Sequence, residues 1–152
     1  MSKGRKISMM EQIKQHTSIR KYEHKPIPEQ VMDDIFTAIQ MAPSWINGQQ
    51  YSVIRVTDDS VREKLVALAG NQPYIAEAAE FLVFCADFNR IQKACEYEGV
   101  NFEVDSPDYL TIATTDLGIA LGQAIIAAES FGLGTVAIGG VRRATEDITE
   151  LL

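Results

Sequence analysis

The chain has 152 residues, a length that suits one domain with a single sizeable core. Its 21 acidic residues outnumber its 14 basic ones, the formal net charge is −7, and no basic run is present. Nucleic acid and anionic membrane surfaces are therefore not expected partners. The two cysteines and two histidines lie in no metal-binding spacing, so no metal site is predicted.

The N-terminus carries no recognisable targeting segment. Met1 to Ser8 is basic and polar without an apolar stretch behind it, so no signal peptide is predicted and the cytoplasm is the expected compartment.

Local signals define the elements of the first half. The capping-box pattern of Ser8 and Glu11 predicts a short helix, and Pro28 and Pro43 bracket a second one. Ser60 and Glu63 form another capping box. The predicted elements are a helix over 8–15, a helix over 28–43, a strand over 51–56, a helix over 60–70 and a short helical piece over 74–79.

The second half predicts strands around a long helix. The apolar run 81–86 is typical of a central strand buried on both faces, and Asp87 after it can cap a helix. The segment 135–138 is β-prone, and Thr145 can cap a last helix. Without repeats or linkers, the pattern predicts one domain of α+β class with a three-layer α/β/α arrangement.

The stretch 108–131 predicts a helix of roughly 36 Å that is apolar nearly all round. Ile119 belongs to a second apolar line, on another face from the main stripe. A membrane span is the alternative interpretation, but the charged residues Asp116 and Glu129 within the stretch disfavour it. We therefore predict a buried central helix, covered by its own domain or by a second subunit. The main stripe consists of Leu110, Ala113, Leu117, Leu121, Ala124 and Ala128.

No dinucleotide fingerprint, P-loop or nucleophile elbow is present. His16, Ser18 and Arg20 instead place an imidazole, a hydroxyl and a guanidinium within five residues, a combination able to hold an anion. A solvated turn is the alternative interpretation. The amides and hydroxyls of the loop 44–50 and of Gln72 can bind a heterocycle or cap their own backbone.

The order of several motifs resembles the FMN-dependent nitroreductase family, in particular its oxygen-insensitive, NADPH-using branch. The resemblance covers residues 9 to 152. The motifs are His16-Thr17-Ser18-Ile19-Arg20-Lys21-Tyr22, Pro26-Ile27-Pro28, Ala42-Pro43-Ser44, the run 81–90, the run 127–134 and Ile138-Gly139-Gly140-Val141-Arg142.

This resemblance implies a mixed sheet flanked by helices, and a homodimer whose long central helices pack together with one FMN per subunit at the interface. Electrons would pass from NADPH or NADH through FMN to a nitroaromatic, quinone or flavin acceptor, with no catalytic side chain. A dimerising or flavin-binding module without turnover is the alternative. The implied cofactor-binding residues are His16, Thr17, Ser18, Ile19, Arg20, Ser44, Gln72, Ile138, Gly139 and Gly140.

Within that set, His16 and Ser18 would lie near the phosphate and ribityl chain, and Arg20 near the ring or its tail. Family members continue past the position of Leu152 with a basic segment and an arm onto the partner. We therefore expect residues 1–152 to form one nitroreductase-like domain without that C-terminal section.

Overall fold

The computed structural model describes residues 8–152. Two 3-10 turns, Trp45–Asn47 and Gly140–Arg143, interrupt the loops between the regular elements. The regular elements are α1 Met9–Gln15, α2 Glu29–Gln40, β1 Tyr51–Arg55, α3 Asp59–Leu68, α4 Tyr74–Glu77, β2 Leu82–Ala86, α5 Asn89–Tyr97, α6 Pro107–Ser130 and α7 Thr145–Leu151.

Helix α6 is the central element, and it packs against α2 and the strands through its smallest residues. Ala113 and Ala120 are fully buried, and they continue into Ala124 and Ala128. Alanines let the α2 backbone come close, and its apolar side chains Met32, Ile35 and Ile39 fill the space above them. The predicted stripe is thus wrong in part: Leu110 is exposed, and Leu117 and Leu121 lie only half-buried.

The opposite face of α6 has no cover within the described chain. Ile119 is 39% exposed. A Cβ built on Gly118 or Gly122 would meet nothing within 4 Å, so no residue from 8 to 152 packs closely against these two glycines. By length and composition alone the helix could also cross a membrane. Its packing on α2 and the buried carboxylate of Asp116, 3% exposed, are those of a core helix.

The sheet is smaller than predicted. Strands β1 and β2 pair antiparallel, from Tyr51 opposite Ala86 to Arg55 opposite Leu82. The α+β class is confirmed, but the described residues form no mixed sheet, and β2 is half-buried instead of buried on both faces. Segment 135–138 was predicted to be a strand, but no described strand lies beside it to pair with. The Ile19 amide donates to the Thr135 carbonyl at 2.8 Å and helps to hold the segment in place.

Helix starts show how neighbouring caps compete. The Ser8–Glu11 capping box is confirmed. The predicted start at Ser60 is wrong, because the Asp58 side chain accepts from the Ser60 and Val61 amides and α3 begins earlier. The predicted Thr145 cap is also wrong, since Thr145 is already the first residue of α7. The predicted Asp87 cap is wrong too, because Phe88 is the N-cap of α5; the Asp87 side chain accepts from the amide of Asn89, the first helical residue, at 2.8 Å.

The Asp87 carboxylate is expected to make the stability of the fold depend on pH. The Ser52 hydroxyl, and after it the Asn89 amide, hold the pKa of Asp87 below its usual range. A lowered folded-state pKa stabilises the fold above the unfolded value of about 3.9, and this stability is lost as the pH falls through the folded value. We expect Ser52→Ala to be less stable than wild type at neutral pH, with the gap closing in acid.

Urea unfolding followed by circular dichroism at several pH values measures this gap. Thr111→Ala, which removes an exposed hydroxyl from the first turns of α6, is the control and should show no pH-dependent difference. A gap for Ser52→Ala that is independent of pH would contradict the assignment.

Candidate functional site

The turn that follows α1 is fastened to the C-terminal end of α6. His16 Nδ1 lies 2.6 Å from Glu129 Oε1, and the Thr135 hydroxyl donates to the same oxygen at 3.1 Å. Gly134 lies directly beneath the turn, because a Cβ at this position would approach Ile19 Cγ2 to 2.8 Å. These contacts fix the backbone of the predicted anion-binding turn.

The side chains of the turn point outward from this anchored backbone. Thr17, Ser18 and Arg20 are exposed, and within residues 8–152 Arg20 makes no ion pair. Thr17 borders a small cavity of about 270 Å³ beside His16 and Gly134. The Ser18 hydroxyl and the permanently charged Arg20 guanidinium are therefore accessible to an anionic ligand.

A second group of predicted residues meets at the end of α3. Gln72 Nε2 donates to the Ala69 carbonyl at 2.5 Å, and the Tyr74 hydroxyl donates to Gln72 Oε1. A Cβ on Gly140 would lie 2.3 Å from Gln72 Nε2 and 2.2 Å from the Ala69 oxygen. Gly140 therefore permits a close contact, and it begins a 3-10 turn instead of closing a strand.

Tyr22 connects the two groups. Its hydroxyl donates to the Ile19 carbonyl at 2.8 Å. Burial, and next the neighbouring Tyr74, raise the pKa of Tyr22, whereas Arg20 acts in the opposite direction. Neither tyrosine was among the predicted cofactor-binding residues. The signal that could have identified them is an aromatic residue beside a polar turn.

Ile19 of the turn and Tyr74 of the second group border one cavity of about 1140 Å³. Apolar side chains of α2, β2 and α6 contribute to its wall. Two cations, Lys21 and Arg142, and two carboxylates, Glu23 and Glu80, also border it. Such a space, mostly apolar with a few polar groups, is typical of a small-molecule or cofactor site. The predicted residues on its lining are Ile19, Ile138 and Gly139.

Ser44 lies elsewhere. The amide of the next residue, Trp45, donates to both carboxylate oxygens of Asp116, at 3.0 and 3.2 Å. Asp116 and Glu129 are 13 residues apart on α6, which corresponds to about 20 Å along the helix. Within one chain, Ser44 is therefore not brought together with the turn of His16.

The loop that follows Ser44 is strained. Ile46, Asn47 and Gln49 have φ values of 49°, 57° and 49°, which non-glycine residues rarely adopt and which cost of order 1–3 kcal/mol each. Gly48 is not among them; a Cβ there would lie 2.2 Å from Nε2 of the buried Gln50. The Arg90 guanidinium donates to the Gln49 carbonyl and helps to hold the loop.

Residues 8–152 contain no group of three or more His, Cys, Asp or Glu side chains placed to hold a metal ion. Cys85 in β2 is half-buried, and burial, with Asp87 next in effect, raises the pKa of its thiol. A thiol of this kind is a poor nucleophile.

Comparison with known proteins finds a matching family model and several similar relatives. The Nitroreductase family model matches residues 13–152. The FMN reductase [NAD(P)H] of Bacillus subtilis is 47% identical over 90% of this chain and 56% of its own length. The oxygen-insensitive NADPH nitroreductase of Salmonella typhimurium is 40% identical over 90% and 55%. The structure of B. megaterium NfrA2 superposes with a TM-score of 0.92 at 44% identity, over 94% of this chain and 58% of that one.

The chain thus spans less than two thirds of the length of these relatives. The sequence and backbone similarity extends over 90% to 94% of this chain. The chain belongs to the nitroreductase family.

Proposed function

We propose that the protein is an FMN-dependent oxidoreductase that passes electrons from NAD(P)H to nitroaromatic, quinone or flavin acceptors. The observation that carries the proposal is one cavity that is lined by Ile19 of the predicted turn, by Tyr74, which holds the Gln72 side chain, and by Ile138 and Gly139. Relatives named as an FMN reductase and an NADPH nitroreductase, similar over about nine tenths of this chain, support it. Because those relatives are longer, the activity of this chain remains part of the proposal.

The residues present fit FMN chemically. The exposed Ser18 hydroxyl suits a phosphate or a ribityl chain, the exposed Arg20 guanidinium suits the ring or its tail, and the fixed turn backbone orders both in advance. The amide side chain of Gln72, held by Ala69 and Tyr74, suits a polar ring edge. The cavity supplies the apolar wall that a flavin ring needs.

Bound FMN would supply the hydride chemistry, and the protein would bind, orient and stabilise. The cation of Arg20 and the backbone N–H groups of Gly139 and Gly140 would stabilise negative charge on the reduced ring. We assign no side-chain acid, base or nucleophile. The cytoplasm is the proposed compartment.

The position of Ser44 supports a homodimer. Ser44 and the His16 turn lie about 20 Å apart along α6, so one chain is poorly arranged to place both beside the same ring. A two-fold axis across α6 would set two copies antiparallel and bring Ser44 of one beside the His16 turn of the other. The uncovered face around Ile119, Gly118 and Gly122 suits that contact.

Flavin absorbance tests the proposal directly. The purified protein is reconstituted with FMN, freed of unbound flavin, and mixed anaerobically with NADPH or NADH. We expect a yellow protein whose absorbance bleaches and returns on adding a quinone or nitroaromatic. A protein that does not bind FMN contradicts the proposal, and bound flavin that does not bleach supports a binding module without turnover.

Arg20→Ala is expected to weaken FMN binding. Loss of one hydrogen bond to a charged group costs about 1.5–3 kcal/mol, which corresponds to a roughly tenfold to hundredfold higher Kd. Flavin titration of the apoprotein gives the value. Lys64→Ala removes an exposed cation from α3 as the control and should leave Kd unchanged. An equal Kd for Arg20→Ala and wild type would remove Arg20 from the site.

A further inference from the structure

Asp116 is a buried carboxylate on the long, mostly apolar helix α6. It is 3% exposed and forms no ion pair with any residue from 8 to 152. Both of its oxygens lie within hydrogen-bonding distance of one group, the amide of Trp45. Burying a charge against a single neutral donor is unfavourable for stability, and an apolar residue would suit the packing better. A role outside stability therefore has to account for it.

The segment that Asp116 holds is the strained loop Ser44–Gln49. Its left-handed backbone at Ile46, Asn47 and Gln49 persists only when surrounding contacts impose it. Trp45 and Ile46 are 49% and 68% exposed, so the loop gains little from burying its own apolar side chains. The hydrogen bond from the Trp45 amide to Asp116 of α6 joins residues 71 positions apart in the chain. It lies at the start of the strained stretch.

We propose that Asp116 is a positioning residue that fixes the Ser44–Gln49 loop in the conformation that contacts the bound flavin. This inference rests on the proposed function. Asp116 itself touches no ligand; it acts through Trp45. By holding the Trp45 amide, Asp116 sets the backbone direction at Ser44. It thereby determines the positions of the Ser44 side chain and the Trp45 ring. The loop is thereby ordered before the cofactor arrives, which lowers the entropic cost of binding.

Trp45 offers a direct probe, because it is the single tryptophan of the chain. Its fluorescence anisotropy reports the order of the loop in the apoprotein, and its quenching by FMN gives Kd. We expect Asp116→Ala to lower the anisotropy and to raise Kd about tenfold, at unchanged helix content by circular dichroism. Asp116→Asn keeps one acceptor for the Trp45 amide and should restore most of both values.

Thr37→Ala is the matched control. Thr37 is an exposed threonine of α2, away from the uncovered face of α6, and its hydroxyl donates only to the Asp33 carbonyl, at 2.8 Å. This variant should match wild type in anisotropy and Kd. If Asp116→Ala is too unstable to measure, Asp116→Val removes the charge while filling its space, and the same comparison applies.

The outcomes separate the two claims. Wild-type protein that binds FMN, together with an Asp116→Ala or Asp116→Val protein of equal Kd and equal anisotropy, overturns the inference and leaves the proposed function standing. A lower thermal stability with unchanged Kd also overturns it, since that is the signature of a structural role only. Wild-type protein that does not bind FMN overturns the proposed function, and the inference with it.

Discussion

Ile119→Lys is expected to yield a folded, colourless monomer. Ile119 is 39% exposed on the uncovered face of α6, so a lysine there meets water in the single chain and no core contact is lost. In the proposed dimer the same substitution appears twice across the two-fold axis, and the two charges would face each other without solvent. The flavin would be lost with the interface, because each site needs both copies.

Ala120→Lys, one residue further along, is the matched control. Ala120 is fully buried against α2, and an unpaired buried charge costs several kcal/mol, so this variant should unfold. Leu121, on the other stripe, is half-buried on the wall of the cavity, so Leu121→Lys is expected to disturb the domain itself.

Sedimentation for mass, circular dichroism for fold and visible absorbance for flavin measure these three variants together. An Ile119→Lys protein that stays dimeric and yellow would show that α6 is not the interface. An unfolded Ile119→Lys protein would show that this face is internal to the domain.

Gly140→Ala is expected to lose both stability and flavin binding. Its new Cβ would stand 2.2 Å from the Ala69 carbonyl oxygen, a backbone atom that cannot move without shifting the end of α3. It would also stand 2.3 Å from Gln72 Nε2 and displace the amide from its hydrogen bond to Ala69. Overpacking of this kind costs typically about 1–3 kcal/mol.

Gly139→Ala controls for the stability effect. A Cβ on Gly139 meets only Arg142 Nη2, at 2.9 Å, which is the far end of a flexible side chain. Chemical denaturation should therefore separate the two alanine variants by about 1–3 kcal/mol. Flavin titration of folded Gly140→Ala should also show weaker binding than wild type. Equal stability for both variants would show that the contact between Gly140 and Gln72 is not a constraint.

Helix and turn signals that act over a few residues were enough to predict most of the elements. The capping box at Ser8, the prolines around α2 and the alternating strand β1 each depend on neighbours along the chain. The same local signals predicted the anion-binding turn, since imidazole, hydroxyl and guanidinium follow one another within it. Where a local signal failed, as at Ser60, another local residue, Asp58, capped the helix instead.

Long-range contacts decided the rest. The sequence by itself determined that α6 is apolar nearly all round. Only packing decided that its alanines face α2 and that Ile119 stays uncovered, because apolar residues occur on more than one face of the helix. The sequence likewise marked segment 135–138 as β-prone, yet a strand requires a partner along its edge. The hydrogen bond from the Trp45 amide to Asp116 joins residues far apart in the chain. Such a contact, like the distance between Ser44 and the His16 turn, exists only once the fold has formed.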